Sequence, residues 1–135
     1  EKDVEHMFEY AVMPHRGDWK TANLPRRGTE FNNPLITHKA SRCKGILESE
    51  KSFIEVSPEN IIVTAIKKNK ENAIIIRLYE SIGKQSSGRI KIFKEIREAF
   101  ETDLLENKIS ELKPVRNTLD FTIGKFEIKT FAVYL

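Results

Sequence analysis

A chain of 135 residues is long enough to bury one core of its own, and it reads as a single domain spanning 1–135. Its net charge is only +3, with Lys and Arg interleaved among Asp and Glu, so no basic block tracks a phosphate backbone and nucleic acid is set aside as a partner. The longest apolar run, Ala73 to Ile76, is far shorter than the ~20 residues a membrane helix needs, and the lone cysteine, Cys43, excludes an internal disulfide and fits a reducing, cytoplasmic setting.

The first predicted element is a strand over His6–Met13, stopped by Pro14. It opens into a tight turn, His15-Arg16-Gly17-Asp18-Trp19, in which Gly17 permits a left-handed conformation. Asp18 is placed to cap one short helical turn over 18–23. The rest of the stretch from Gly17 to Ser41 reads as irregular, because Pro25, Gly28 and Pro34 break any longer element. A connection of that length is usually functional or packs as a lid of its own. His15, Arg16, Asp18 and Trp19 form a candidate polar site. Arg16 would clamp a carboxylate or hydroxyl, and Trp19 would offer a flat platform to a sugar ring. The competing role for the same residues is structural, with Asp18 only capping and Trp19 plugging the end of a fold. His15, Asp18 and His38 match no compact ligand spacing, so no metal is assigned. Cys43 lies between Arg42 and Lys44, which would lower a thiol pKa, but it has no placed partner and is read as incidental.

Strand signals dominate from Ser52 onward. Ser52–Val56 is a short strand, followed by Asn60–Lys67 and Asn72–Glu80, two β-branched runs joined by Asn69-Lys-Glu-Asn72 as a hairpin. Ile61, Val63 and Ala65 should share one face and Ile62, Thr64 and Ile66 the other, which predicts central strands covered on both sides. Arg77 and Glu80 flank the end of the second strand as a candidate strand-end pair, serving cross-strand or inter-domain contacts. Gly88–Phe93 alternates over Ile90 and Ile92. Residues 96–112 then depart from the pattern: apolar side chains at 96, 100, 104, 105, 109 and 112 have helical spacing. Thr118–Ile123 places Leu119, Phe121 and Ile123 on one face. In Phe126–Leu135 the apolar face switches near Thr130, which means either a bulge or a strand buried on both sides. Short strands with turns between them predict an all-β fold, an antiparallel β-sandwich with a long irregular connection near residues 17–41.

Cleavage of a glycosidic bond needs two carboxyls held together. Glu30, Glu55, Glu101, Asp103 and Glu106 carry no mark of pairing in the sequence, so no catalytic residue is assigned. One succession of motifs is more specific. It runs Phe8-x-Tyr-Ala-x-x-Pro-His-x-Gly-Asp-Trp19, Phe31-Asn-x-Pro-Leu35, Ser52-Phe53, Asn60 to Lys68, Ile75-Ile-Arg-Leu-Tyr-Glu80 with Gly83, Glu101 to Glu106, and Phe126 to Thr130. In that order and spacing it resembles the C-terminal β-region of the family thirty-eight glycoside hydrolases, the α-mannosidases.

The resemblance implies a strand near Glu98–Thr102 and an irregular turn around Leu104–Glu106, against the helical spacing. It implies that the aspartate nucleophile and the zinc ion sit in a separate N-terminal α/β barrel, leaving this chain without catalytic residue or cofactor and inactive alone. The chain opens on Glu1 and reads as an excised piece. Its implied partners are the remaining domains of the parent mannosidase, with the His15–Trp19 turn at an inter-domain seam. A domain so excised should expose an apolar patch and could dimerise through it. The alternative is an independent β-sandwich module for carbohydrate binding or another interaction, using Trp19 and the polar groups near it.

Overall fold

The computed structural model describes residues 4–41 and 44–135. Cys43, and with it the reading of its thiol, lies outside them. The chain divides into two compact units, Glu1–Ile36 and Thr37–Leu135.

The second unit holds the strands: β1 (Ile54–Ser57), β2 (Ile61–Lys68), β3 (Ile74–Glu80), β4 (Ser86–Ile92), β5 (Glu98–Thr102), β6 (Lys108–Leu112), β7 (Thr118–Ile123) and β8 (Ile128–Tyr134). They form two antiparallel sheets, ordered β1-β4-β7 and β2-β3-β8-β5-β6, as the sandwich expectation requires. Period-2 alternation explains the layering. Ile90 and Ile92 of β4 and Leu119, Phe121 and Ile123 of β7 meet Ile76 and Leu78 of β3 and Phe131 and Val133 of β8 in one core. Each such side chain contributes about 1.5–3 kcal/mol by leaving water. Phe121 and Phe131 meet across the core with ring centroids 4.8 Å apart. Gly88 lies opposite Phe121 in the β4–β7 ladder, where a Cβ would overlap that ring. β8 is paired on both edges without a register break, and Thr130, Phe131, Ala132 and Val133 are all buried. The switch of faces near Thr130 is therefore burial on both sides, not a bulge.

Several expectations need correction. The hairpin β2–β3 forms, but β2 is an edge strand, not a central one. Its register shifts between Val63 and Ala65, so Ala65 faces Arg77 while Ile66 faces the core residue Ile76. Ala65 and Ile66 thus exchange the faces that strict alternation gives them. Over 96–112 the strand and turn that the resemblance implies do form, as the hairpin β5–β6, and the helix that the spacing suggests does not, because β8 offers β5 a backbone ladder along its whole length. Ladder pairing outweighs intrinsic helix propensity here.

In the first unit, His6–Met13 is not a strand. Phe8, Tyr10 and Val12 stand more than four-fifths exposed, since a lone strand has no ladder for its N–H and C=O groups. The connection that follows is not wholly irregular either. The turn over Trp19–Asn23 runs into α1 (Leu24–Asn32), in which Pro25 sits in the first turn, where no N–H is needed. Arg27 bonds Glu30 at 2.8 Å and Arg26 reaches the same carboxylate at 3.4 Å, supporting a helix in which Gly28 is tolerated.

Candidate functional site

The His15–Trp19 turn is built as its residue types dictate. Gly17 has φ 74, a conformation that penalises any side chain. Asp18 Oδ1 accepts the Thr21 backbone N–H at 2.8 Å and the Thr21 hydroxyl at 2.7 Å. These two bonds hold the Asp18 carboxyl below its ordinary pKa, the backbone N–H first. His15 Nδ1 lies 3.4 Å from the neighbouring Arg16 carbonyl oxygen, and Arg16 is exposed. Trp19 is 41% exposed, with the Lys20 ammonium 5.3 Å from its ring centroid. The turn gathers all four candidate residues, but it commits Asp18 to capping and offers a flat ring beside a cation, not a reactive centre.

The other candidates, Arg77 and Glu80, do not bond each other. Glu80 is fully buried at the end of β3. Its carboxylate accepts N–H groups from Ile82 (3.0 Å), Gly83 (2.7 Å), Lys84 (3.0 Å) and Phe126 (3.1 Å), and the Asn60 amide at 2.8 Å. Burial alone would raise its pKa. The Asn60 amide and the backbone donors outweigh that and hold it down to about 2. Asn60 also donates to Ser86 Oγ, and its carbonyl accepts from Ser81, so one polar cluster locks the turn after β3 to the starts of β2 and β4. Asn60, Gly83 and Phe126 stand in the succession of motifs, but the sequence gives no sign that they meet on Glu80. The only local signal is a Glu followed three residues later by Gly, because the Phe126 donor comes from 46 residues away.

Arg77 points the other way, onto the outer face of the five-stranded sheet. Register places Tyr79 beside Ile62 and Ile128, Arg77 beside Ala65 and Thr130, and Ile75 beside Lys67 and Ala132. Arg77 Nε donates to Thr130 Oγ1 at 3.1 Å and Nη2 to the Leu104 carbonyl at 3.0 Å. This fixes the guanidinium and leaves the remainder of its five N–H groups for an outside acceptor. A shallow cleft of about 350 Å³ opens there, lined by Thr64, Arg77, Tyr79, Leu104, Phe126 and Ile128, with Glu80 at its edge.

The carboxylates raised by composition are each engaged. Glu101 meets Lys129 at 2.7 Å, Glu55 meets Lys91 at 3.6 Å, Glu106 pairs with Lys67, and Glu30 pairs with Arg27. Asp103 accepts from the Leu105 and Asn107 backbone N–H groups and the Asn107 amide. Among the described residues no three His, Cys, Asp or Glu side chains come together as a metal site. No helix among them is long and apolar enough to cross a membrane.

Comparison with known proteins locates this geometry. The family model for the glycosyl hydrolases family 38 C-terminal beta sandwich domain matches residues 60–131, from the start of β2 into β8. Alpha-mannosidase G of Dictyostelium discoideum is 32% identical over 134 residues, covering 93% of this chain and 12% of that protein. Human alpha-mannosidase 2C1 is 27% identical over 135 residues, covering 96% of this chain and 13% of that protein. Alpha-mannosidase of Saccharomyces cerevisiae is 26% identical over 153 residues, covering 96% of this chain and 14% of that protein. The chain therefore spans about an eighth of the length of these relatives.

Proposed function

This chain belongs to the family of glycosyl hydrolases family 38 C-terminal beta sandwich domains, and from that premise we propose that it serves as an accessory β-domain of an α-mannosidase, bracing the enzyme and inactive alone. Its relatives carry the name alpha-mannosidase, which is the source of the substrate class: α-mannosidic bonds in mannose-containing glycans. The partners are the remaining domains of the same polypeptide, and they supply both the reacting carboxylates and the zinc. A single cysteine in 135 residues supports a cytoplasmic setting.

One observation carries the reading. Cleavage of a glycosidic bond needs a carboxylic acid whose pKa is raised, so that it holds a proton near neutrality. Glu80, fully buried, has no surface to offer a substrate, and its oxygens are taken by five N–H donors of its own fold, which hold its pKa down rather than up. It is a staple, and the remaining candidate acids are tied to cations or turns.

The test compares the full-length gene product with this chain on nitrophenyl α-mannoside, with and without a chelator. Hydrolysis by the full-length protein, lost on chelation, together with no turnover by the isolated chain, is the expected result. Turnover by the isolated chain refutes it. A second reading, sugar binding by the domain itself, is favoured by the partly bare indole of Trp19. Calorimetric titration of the isolated chain with a mannose oligosaccharide, repeated with Trp19→Ala, decides it.

A further inference from the structure

The two outer faces of the sandwich differ in chemistry. On the three-stranded sheet the outward rows are Glu55, Lys91 and Thr118, then Ser57, Arg89 and Asp120, and ion pairs Arg89–Asp120 and Lys91–Glu55 lie flat across them. These two rows are a solvated surface, and only at their end does the Phe53–Phe93 pair, with ring centroids 5.1 Å apart, add an apolar contact. On the five-stranded sheet, Ile128 stands 57% exposed, and Leu104 and Phe126 beside it are 60% and 62% exposed, with Arg77 fixed among them. Aliphatic and aromatic side chains around one held arginine are the composition of an interface centre, not of a wet face.

We infer that this outer face of the five-stranded sheet, around Arg77, Leu104, Phe126 and Ile128, is the surface on which the domain docks to the preceding part of its own polypeptide. The inference rests on the accessory-domain reading and gives it a place. The occupant follows from length: this chain is 12–14% of relatives that align along nearly all of it, so ample polypeptide of the same molecule exists to cover the face. Its chemistry follows from the cleft. An apolar side chain seats among Leu104, Phe126 and Ile128, while a backbone carbonyl or carboxylate oxygen takes the open N–H groups of Arg77. A second copy fits poorly. Two-fold pairing centred on this face brings Arg77 toward its own mate, two like charges leaving water together.

The test uses the full-length enzyme with p-benzoylphenylalanine in place of Ile128 and, separately, in place of Lys91 on the opposite sheet. Photolysis followed by peptide mass spectrometry should give cross-links from position 128 to segments preceding this domain, and none from position 91. Arg77→Ala should cut the yield at 128 by about tenfold, the loss of one interface anchor worth roughly 1.4 kcal/mol. Cross-links from 128 to a second copy, to an added mannose oligosaccharide, or to nothing overturn the inference. Mannosidase activity of the same preparation separates the two ideas. Intact activity without cross-links sinks the docking face alone, whereas cross-links together with turnover by the isolated domain sink the accessory role.

Discussion

Phe126 donates its backbone N–H to Glu80 Oε2 at 3.1 Å while its ring lies over Gly83, so a single residue between β7 and β8 grips both the end of β3 and the turn beyond it. A buried carboxylate is stable here because five N–H donors take the place of water.

Replacing Glu80 therefore tests the staple, and pH tests its charge. The carboxyl sits at about 2 when folded and ordinarily near 4.5. Since the folded value is the lower one, its contribution is complete above pH 4.5 and disappears as pH falls toward about 2. A depression of that size corresponds to roughly 3 kcal/mol. Glu80→Gln should cost about that much at pH 7, because an amide NH2 is forced among donors. Denaturant unfolding from pH 7 to pH 3 checks both points: the wild-type domain should lose stability below pH 4.5 and the variant should lose less. Equal slopes for the two proteins would show that Glu80 is not the titrating group.

Gly83 should resist substitution for two separable reasons. Its φ is 77, and a Cβ would stand 2.6 Å from Phe126 Cε2 and Cζ. Gly83→Ala is expected to destabilise by about 2 kcal/mol. Phe126→Ala removes the clash but not the backbone strain, so in that background the same substitution should cost less without becoming neutral. A double-mutant cycle on unfolding midpoints gives the coupling. Additive costs would place the ring elsewhere in solution.

Within the turn between β5 and β6, Asp103 gathers the backbone N–H groups. Asp103 Oδ1 accepts the backbone N–H groups of Leu105 and Asn107, both at 2.8 Å, and Glu106 takes φ 71. The Asn107 amide, then the Asn107 backbone N–H, keeps the carboxyl below its ordinary pKa. Asp103→Ala should loosen β6, an exposed edge strand, without opening the centre of the sheet. Amide exchange within Lys108–Leu112 should quicken about tenfold while β3 and β8 keep their protection. Uniform acceleration would mean that the hairpin is not a separable unit.

What the sequence discloses depends on whether the partner of each side chain is nearby. β7 is legible because Leu119, Phe121 and Ile123 alternate and are buried as they alternate. β3 is legible because its run is covered on both sides. Residues 96–112 mislead because Leu105 and Ile109, two members of the helical spacing, are 82% and 65% exposed and record no buried stripe of this domain. The composition of His6–Met13 is that of a strand, yet among the described residues it has no ladder to join. The bulge at Val63/Ala65 is set by pairing with β3 and leaves no mark in β2 itself. At the candidate site, Arg77 and Glu80 stand out at a strand end, but their true partners, Thr130 and Phe126, come from the last strand and the turn before it.

Lys129 supplies the remaining test, because it closes one end of the core with a charge. It lies opposite Leu78, bonds Glu101 at 2.7 Å, and both side chains are largely buried, at 15% and 23% exposure. Its methylenes extend the apolar layer while the ammonium reaches the carboxylate. Truncation to Ala removes the stem and leaves Glu101 unpaired in a partly dry site, at a cost of about 2 kcal/mol. Lys129→Met keeps the stem, and combined with Glu101→Leu it removes both charges, so the double variant should recover most of what Lys129→Ala loses. Thermal unfolding of the variants orders them. If the double variant is as unstable as Lys129→Ala, the ion pair itself, not the packing of its stem, holds that end of the sandwich.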